Sequence, residues 1–212
     1  MTEGMSLRER KKFRTRHRLL AAATELFSER GFDGVSVAEI AEAAEVSKMT
    51  VFNYFASKED LVLSPMEEHI GDVARVVRDR APGRSVLVAV RTQFLEAIER
   101  RDPSVGMSDL PMVMQVRRLI QETPALLLRA HALSLRSFDL LAEALIEEGH
   151  EPATARIAAA QLIATRNSLI QANQSRLLAG EPSDAIAPEA AALAVRGFAM
   201  LADGLGGFAI RN

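Results

Sequence analysis

Residues 36–55, with the sequence SVAEIAEAAEVSKMTVFNYF, constrain the fold more than any other stretch of this chain. The first half places apolar side chains at helical spacing on one narrow face: Val37, Ile40, Ala41 and Ala44. After an interruption of three residues, a second short apolar face follows: Val51, Phe52 and Phe55. The pattern predicts two helices of about two turns each, joined by a tight turn, which is the helix-turn-helix arrangement.

Serine precedes each of these two predicted helices at the N-cap position. Ser36 and Ser47 can each offer a side-chain oxygen to the free amides of the turn that follows. The second helix leaves five long or polar side chains off its packed side: Lys48, Met49, Thr50, Asn53 and Tyr54. Such side chains donate to phosphates or reach base edges. The pattern therefore predicts contact with a nucleic acid through the second helix.

The net charge of −2 is unevenly distributed along the chain. Residues 8–18 carry seven basic side chains against Glu9 alone, which leaves 19 basic and 27 acidic side chains elsewhere. A basic segment before a helix-turn-helix is typical of nucleic-acid binding, although a solvated helix end gives the same composition. We expect Arg10, Lys11, Lys12 and Arg14 to supply long-range attraction and phosphate contacts rather than base readout.

Several classes of protein are disfavoured by composition. The chain has no cysteine and four scattered histidines, so neither a metal site nor a disulfide is expected. We also find no glycine-rich phosphate loop, and we expect neither an enzyme nor a cofactor. No apolar run approaches the roughly 20 residues that cross a bilayer. We expect a protein of the cytoplasm that does not enter a membrane.

The rest of the chain shows helical periodicity without a competing strand pattern. Proline and glycine mark the ends of the segments, as Gly31 does after the first. The predicted fold is all-α, with about nine helices. Beside the two short ones, the predicted helices are 8–30, 57–80, 85–101, 110–121, 124–148, 152–178 and 188–204.

Five short elements agree in order and spacing with a known family. They are Ala23–Phe32, Val37–Ala41, Val46–Lys48, Phe52–Phe55 and Ser57–Leu61. Together they resemble the N-terminal DNA-binding domain of TetR-family transcriptional regulators, over about residues 15–63. The resemblance implies a homodimer that binds a palindromic operator in double-stranded DNA, usually as a repressor. It also implies release of the operator when a small molecule enters the C-terminal domain.

The resemblance assigns roles to residues of this chain. It makes the third helix the recognition helix, with Lys48, Met49 and Thr50 facing the groove and with phosphate contacts from Asn53 and Tyr54. Ser36, which caps the second helix, and Lys58, which begins the fourth, add phosphate contacts. The full set implied to bind DNA is Ser36, Ser47, Lys48, Met49, Thr50, Asn53, Tyr54 and Lys58.

Two positions depart from the family pattern. Phe52 stands where members often have tyrosine, so one phosphate hydrogen bond is missing, which Tyr54 can partly replace. Glu45 stands where members usually have glycine in the turn. A residue with a side chain must accept an unfavourable backbone conformation there, and its carboxylate faces DNA poorly. Both departures lower the expected affinity.

The resemblance implies a helix-turn-helix domain at residues 8–56 and a helical ligand-binding and dimerisation domain at 57–212. The last two helices are rich in alanine, which permits close packing across a dimer interface but is also simply a good helix former. The candidate lining of a hydrophobic pocket is Phe94, Ile98, Met107, Leu110, Met114, Arg117, Phe138, Asn167 and Gln171. The apolar members fit a plain core equally well, and the amides can instead bond across the dimer.

Two hypotheses about the ligand remain open. The segment Arg117–Leu126 is similar to a largely actinobacterial subgroup that responds to acyl-CoA-like ligands, whose phosphates would suit arginines beside an apolar tunnel. The alternative is a helix-turn-helix DNA-binding protein without a small-molecule ligand. An apolar pocket of several hundred cubic ångströms would favour sensing, and a closed core would favour the alternative.

Overall fold

The computed structural model describes residues 6–203, and this part of the chain is helical with no strand. The all-α prediction is confirmed. The helices are α1 (Leu7–Arg30), α2 (Val37–Ala43), α3 (Lys48–Tyr54), α4 (Lys58–Glu67), α5 (Asp72–Arg78), α6 (Val86–Glu99), α7 (Pro111–Glu122), α8 (Pro124–Glu147), α9 (Pro152–Leu178) and α10 (Ser183–Asp203). A 3₁₀ turn at Pro103–Val105 follows α6.

Two predicted helix boundaries are wrong. The helix predicted over 57–80 is divided into α4 and α5 at Gly71, a poor helix former, while Pro65 lies inside α4 without ending it. The last helix begins at Ser183 rather than Pro188, because Asp109 accepts a hydrogen bond from the Ser183 amide at 2.8 Å. This cap comes from far along the chain, so local sequence does not reveal it. The predicted end near Gly204 lies outside the described residues.

The described chain divides into two compact units, residues 6–67 with 111–130 and residues 68–110 with 131–203. In the first unit, α1 packs on α2, α4 and α7, and α2 packs on α3. Its buried apolar side chains include Leu19, Ala23, Phe27, Ile40, Ala41, Val51, Phe55 and Leu61. Fully burying each of the larger ones contributes about 1.5–3 kcal/mol, which holds α2 and α3 in a fixed arrangement. The division into domains 8–56 and 57–212 stays a prediction.

The second unit is built around α10, which packs on both α6 and α9. The rings of Phe94 and Phe198 meet edge to face with centroids 5.8 Å apart. Ala159 on α9 and Ala194 on α10 are fully buried, so these helices approach closely.

The apolar composition of α10 is unusual. Its residues 183–202 have a mean hydropathy of 1.4, and by length and composition alone this helix could cross a membrane. The prediction that no apolar run approaches this length is therefore wrong in this narrow sense, although core helices of water-soluble proteins meet the same criterion. Only 28% of the stretch is buried within the protomer. Much of an apolar helix is thus left uncovered.

Candidate nucleic-acid interface

The start of α2 is fixed by a capping box. The Ser36 hydroxyl oxygen accepts a hydrogen bond from the Glu39 amide at 3.3 Å, and the Glu39 carboxylate accepts one from the Ser36 amide at 2.8 Å. Arg30 donates to the same carboxylate at 2.6 Å. The Ser36 hydroxyl hydrogen is itself directed to Glu39, so a phosphate contact by this hydroxyl requires an exchange of partner.

The capping box predicts a measurable pH dependence. Hydrogen bonds from Ser36 and Arg30 lower the pKa of Glu39 from 4.5 to about 2. Because the pKa of Glu39 is lower in the folded than in the unfolded state, its ionised carboxylate stabilises the fold at a pH above the unfolded pKa of about 4.5. This contribution is lost as the pH falls from about 4.5 through about 2. We expect the wild type to lose free energy of unfolding over this window relative to Glu39→Gln, which keeps the cap without titrating. Denaturant unfolding at stepped pH measures the difference, and parallel curves would contradict it.

The turn between α2 and α3 is strained as the sequence predicted. Glu45 has a φ of 51°, in the left-handed region that residues with side chains rarely adopt. The Val46 amide nevertheless donates to the Ala41 carbonyl at 2.9 Å, so the turn closes. Arg18 of α1 donates to the Ala44 carbonyl at the end of α2. Arg18, although part of the basic segment, therefore holds the end of α2 against α1.

Replacing Glu45 should improve both stability and DNA binding. A left-handed conformation costs roughly 1–2 kcal/mol in a residue with a Cβ, and Glu45→Gly relieves that cost. The gain in stability is partly offset because glycine loses more backbone entropy on folding. The substitution also removes a negative charge beside the proposed DNA face. We expect a higher midpoint of thermal unfolding and tighter binding. Glu45→Gln is the matched control, which should improve binding alone. Equal stability of the two variants would argue against strain.

Helix α3, the predicted recognition helix, presents a continuous exposed face. Ser47 caps it by accepting from the Thr50 amide at 3.0 Å, and the two hydroxyl groups lie 2.8 Å apart. Val51 and Phe55 point into the core. The exposed side chains are Lys48, Met49, Phe52 and Asn53, whereas Thr50 and Tyr54 are half-buried. Six of the predicted DNA-binding residues thus lie on or at the start of this helix.

The prediction that Phe52 packs on the inner face is wrong. Its side chain is 45% exposed. Successive residues of a helix are rotated by about 100°, so Phe52 cannot share the buried side that its neighbour Val51 occupies. The Lys48 ammonium lies 5.9 Å from the centre of the ring, one turn away. Phe52 therefore adds an exposed apolar surface beside Lys48, of the kind that contacts thymine methyl groups. A helix of seven residues is too short for its period to decide this.

Lys58, which is half-buried, links the start of α4 to the segment between α1 and α2. Its ammonium donates to the carbonyls of Phe32 at 2.7 Å and Val35 at 3.2 Å, and lies 4.2 Å from the centre of the Phe32 ring. An ammonium has three donors, so one remains for a phosphate. The predicted contact by Lys58 is geometrically compatible with this structural role.

The predicted ligand residues do not form one cluster within either unit. Phe94, Ile98 and Met107 are fully buried core. Leu110 is 62% exposed, and Phe138 is half-buried beneath Arg156. The remaining four are divided: Asn167 and Gln171 are exposed on α9, and Met114 and Arg117 belong to the first unit. The amide side chains were expected inside an apolar helix, but they lie on its outer face.

A cavity of about 350 Å³ lies elsewhere in the second unit. Its lining is mainly apolar, with polar groups at His150, Thr154 and Gln161. The remaining lining residues are Ser85, Val86, Leu87, Leu145, Ala155, Ala158, Leu162 and Leu201. None of the nine predicted residues lines it. These residues come from α6, α8, α9 and α10 and the segments beside them, so no single stretch of sequence reveals the cavity.

In the first unit a tight turn joins α2 to α3, which is the helix-turn-helix arrangement. Residues 19–64 match the family model of "Bacterial regulatory proteins, tetR family". The match covers the segment from α1 to α4 and shows that this segment is similar to the family. No group of three or more histidine, aspartate or glutamate side chains that could hold a metal occurs in the part of the chain that the structure describes.

Similarity to individual proteins extends over part of the chain. The chain is 37% identical over 125 residues to the HTH-type transcriptional regulator TcmR of Streptomyces glaucescens, covering 58% of this chain and 55% of TcmR. It is 34% identical over 88 residues to the HTH-type transcriptional activator FasR of Mycolicibacterium smegmatis, covering 40% of each. The chain thus spans about half the length of such relatives. They are regulators by name, in agreement with the expectation against an enzyme.

The fold as a whole also has a counterpart among solved structures. NalD, described as the secondary repressor of the MexAB-OprM multidrug efflux pump in Pseudomonas aeruginosa, superimposes with a TM-score of 0.56. The superposition covers 87% of this chain and 96% of NalD at 22% identity. At this identity the likeness establishes the fold alone.

Proposed function

We propose that the protein is a homodimeric, ligand-responsive transcriptional regulator of the cytoplasm that represses from a palindromic operator and is released by a small hydrophobic molecule. The observation that carries the proposal is the exposed face of α3, with Lys48, Met49, Phe52 and Asn53. In this proposal α3 enters the major groove of double-stranded DNA, and the exposed basic side chains of α1 neutralise phosphates. Residues 57–212 would supply dimerisation and ligand binding.

Exposed apolar side chains on α9 and α10 support the dimer. Ile157 on α9 is 61% exposed, and Val195 on α10 is 39% exposed, next to a series of exposed alanines. A second copy of these two helices would cover this surface as a four-helix interface. A membrane is a poorer cover, because α10 also carries the charges of Glu189 and Arg196. Exposed Asn167 and Gln171 would then lie near the seam between protomers.

The cavity in the second unit supports sensing over DNA binding without a ligand. Its volume of about 350 Å³ suits a small molecule, and a closed core was expected for the ligand-free alternative. The acyl-CoA hypothesis stays a proposal for the ligand. It draws support from Arg118, which lines a separate cavity of about 450 Å³ in the first unit together with Arg30. Calorimetry with long-chain acyl-CoAs tests it, and no binding by any of them would remove it.

The experiment for the whole proposal is selection of DNA from a random pool by the purified protein at about physiological salt, followed by sequencing. An enriched palindrome would support a dimeric sequence-specific regulator and provide the operator for screening ligands by release. Bulk binding without enrichment, weakened by salt, would contradict sequence-specific regulation by the ligand-free protein.

A further inference from the structure

Arg166 lies on the buried face of α9, among apolar side chains. This face is formed by Ala155, Ala159, Leu162, Ile163, Arg166, Leu169, Asn173 and Leu177. The arginine is only 8% exposed. Its guanidinium lies 5.8 Å from the centre of the Phe94 ring, which is itself fully buried. A permanent positive charge therefore occupies the core of the second unit.

The hydrogen bonding of Arg166 is incomplete. Within residues 6–203, its one hydrogen bond runs from Nη2 to the Ser104 carbonyl at 3.5 Å, which is the limit for such a bond. Its Nε is buried and has no partner in the same part of the chain. A guanidinium offers five donors in a planar fork, so most of this capacity is unused.

The two carboxylates that attract Arg166 are both engaged elsewhere. Asp102 accepts from the Ser104 amide at 2.8 Å, and Asp72 accepts from Arg75 at 2.6 Å. Asp72 also lies 2.8 Å from the His69 ring nitrogen. Neither forms an ion pair with Arg166 in the described chain. Burial lowers the pKa of Arg166, yet a guanidinium keeps its proton at neutral pH. A buried charge without a partner destabilises the ligand-free fold.

The 3₁₀ turn beside Arg166 packs against α9 at Gly106, whereas its link to α9 at Ser104 is weak. Asn173 donates to the Val105 carbonyl at 2.9 Å, and a Cβ on Gly106 would lie 2.7 Å from the Ile170 carbonyl oxygen. The turn is therefore pressed against α9 at Gly106. At Ser104 the only link to Arg166 is the long hydrogen bond, so an incoming acceptor can replace the carbonyl at little cost.

We propose that Arg166 is the anchor for the carboxylate of an apolar monocarboxylic acid that acts as the effector. The inference rests on the proposed function in that this acid would be the releasing ligand. A carboxylate matches the guanidinium fork with two parallel hydrogen bonds. A single negative charge fits better than a phosphate dianion, because Asp72 and Asp102 already lend negative potential. The Phe94 ring, 5.8 Å from the guanidinium, provides apolar surface beside the anchor.

The effector would act on the turn that leads toward α7. The effector's carboxylate would take the Nη2 donor of Arg166 that now bonds the Ser104 carbonyl, and that carbonyl would be released. Residues 103–110 connect α6 to α7 along the chain. Occupation of the anchor is thereby coupled to the segment that enters the first unit.

The test is binding of straight-chain carboxylates, from butyrate to dodecanoate, to the full-length protein by calorimetry, with the matching alcohols as uncharged probes. The variants are Arg166→Met, Arg166→Lys and, as control on the same helix, Arg156→Met, whose side chain is exposed and pairs with Asp139 at 3.3 Å. We expect at least one carboxylate to bind more tightly than its alcohol. Arg166→Met should weaken it about ten- to a hundredfold, Arg166→Lys less, and Arg156→Met hardly at all.

Thermal unfolding without ligand separates an anchor from a structural group. Arg166→Met should unfold at the same or a higher temperature than the wild type, because it removes an uncompensated buried charge. A lower unfolding temperature, or failure to fold, would overturn the proposal, as would carboxylates binding no better than alcohols. Operator binding without any probe is measured in parallel. Loss of operator recognition in the wild type contradicts the proposed function, whereas loss of carboxylate binding alone contradicts only this inference.

Discussion

Val195→Glu will turn the proposed dimer into a monomer and weaken binding to a palindromic operator by about a hundred- to ten-thousandfold. Val195 lies on the exposed apolar part of α10. A two-fold interface buries each substituted residue twice, so two carboxylates would lose their water without gaining a partner. The affinity for the operator falls because two linked helix-turn-helix domains bind about two to four orders of magnitude more tightly than a single one.

The matched control is Val88→Glu, the same change at a valine of α6 that is 46% exposed and lies outside α9 and α10. Sedimentation velocity gives the oligomeric state, and titration of the selected operator gives the affinity. Val88→Glu should stay dimeric and bind normally. If Val195→Glu dimerises as well as this control, the interface lies elsewhere.

Lys48→Ala will weaken operator binding by about 30-fold to 25,000-fold. A side chain that reads a base contributes about 1–3 kcal/mol, and a dimer on a palindrome loses that contact twice, or about 2–6 kcal/mol. Lys48 is exposed at the first position of α3, and its ammonium rests near the Phe52 ring rather than in an ion pair. Little of the fold depends on it, so stability should not change.

Comparison with Lys12→Ala separates base readout from phosphate attraction. Lys12 is exposed in the basic half of α1, and its loss should weaken operator and shuffled DNA alike and reduce the dependence on salt. Lys48→Ala should instead weaken the operator far more than the shuffled sequence. Equal losses on both would make Lys48 a phosphate contact, and no loss would exclude α3 as the recognition helix.

The fold could be predicted wherever local sequence marks the end of a helix. Gly31 ends α1 with a φ of 73°, and α9 begins at Pro152 and ends at Leu178 as the pattern indicates. The prediction failed at the start of α10, where the cap is Asp109, distant in sequence. Contacts of that range are not encoded in a local window.

The recognition surface was predicted better than the ligand site, for a physical reason. Most of the proposed DNA contacts lie on one short helix, so their relative positions follow from helical geometry with the exception of Phe52. A cavity between several helices depends on tertiary packing, and none of its lining was identified. Arg166 left a readable signal, namely a charge on an otherwise apolar stripe of α9. The amides at 167 and 171 lie beside it in sequence but face outward, because helical rotation places them on another side of α9.

Glu45 has a consequence at the level of the gene. Codons for glutamate and glycine differ only at their middle base, so the relaxed form of the turn is a single nucleotide substitution away. If the strain and the carboxylate both weaken DNA binding, one point mutation would change the amount of effector that the proposed regulator needs to leave its operator. The effector concentration at which the proposed regulator releases DNA would then be inherited. Selection could change it without altering either the operator or the effector site.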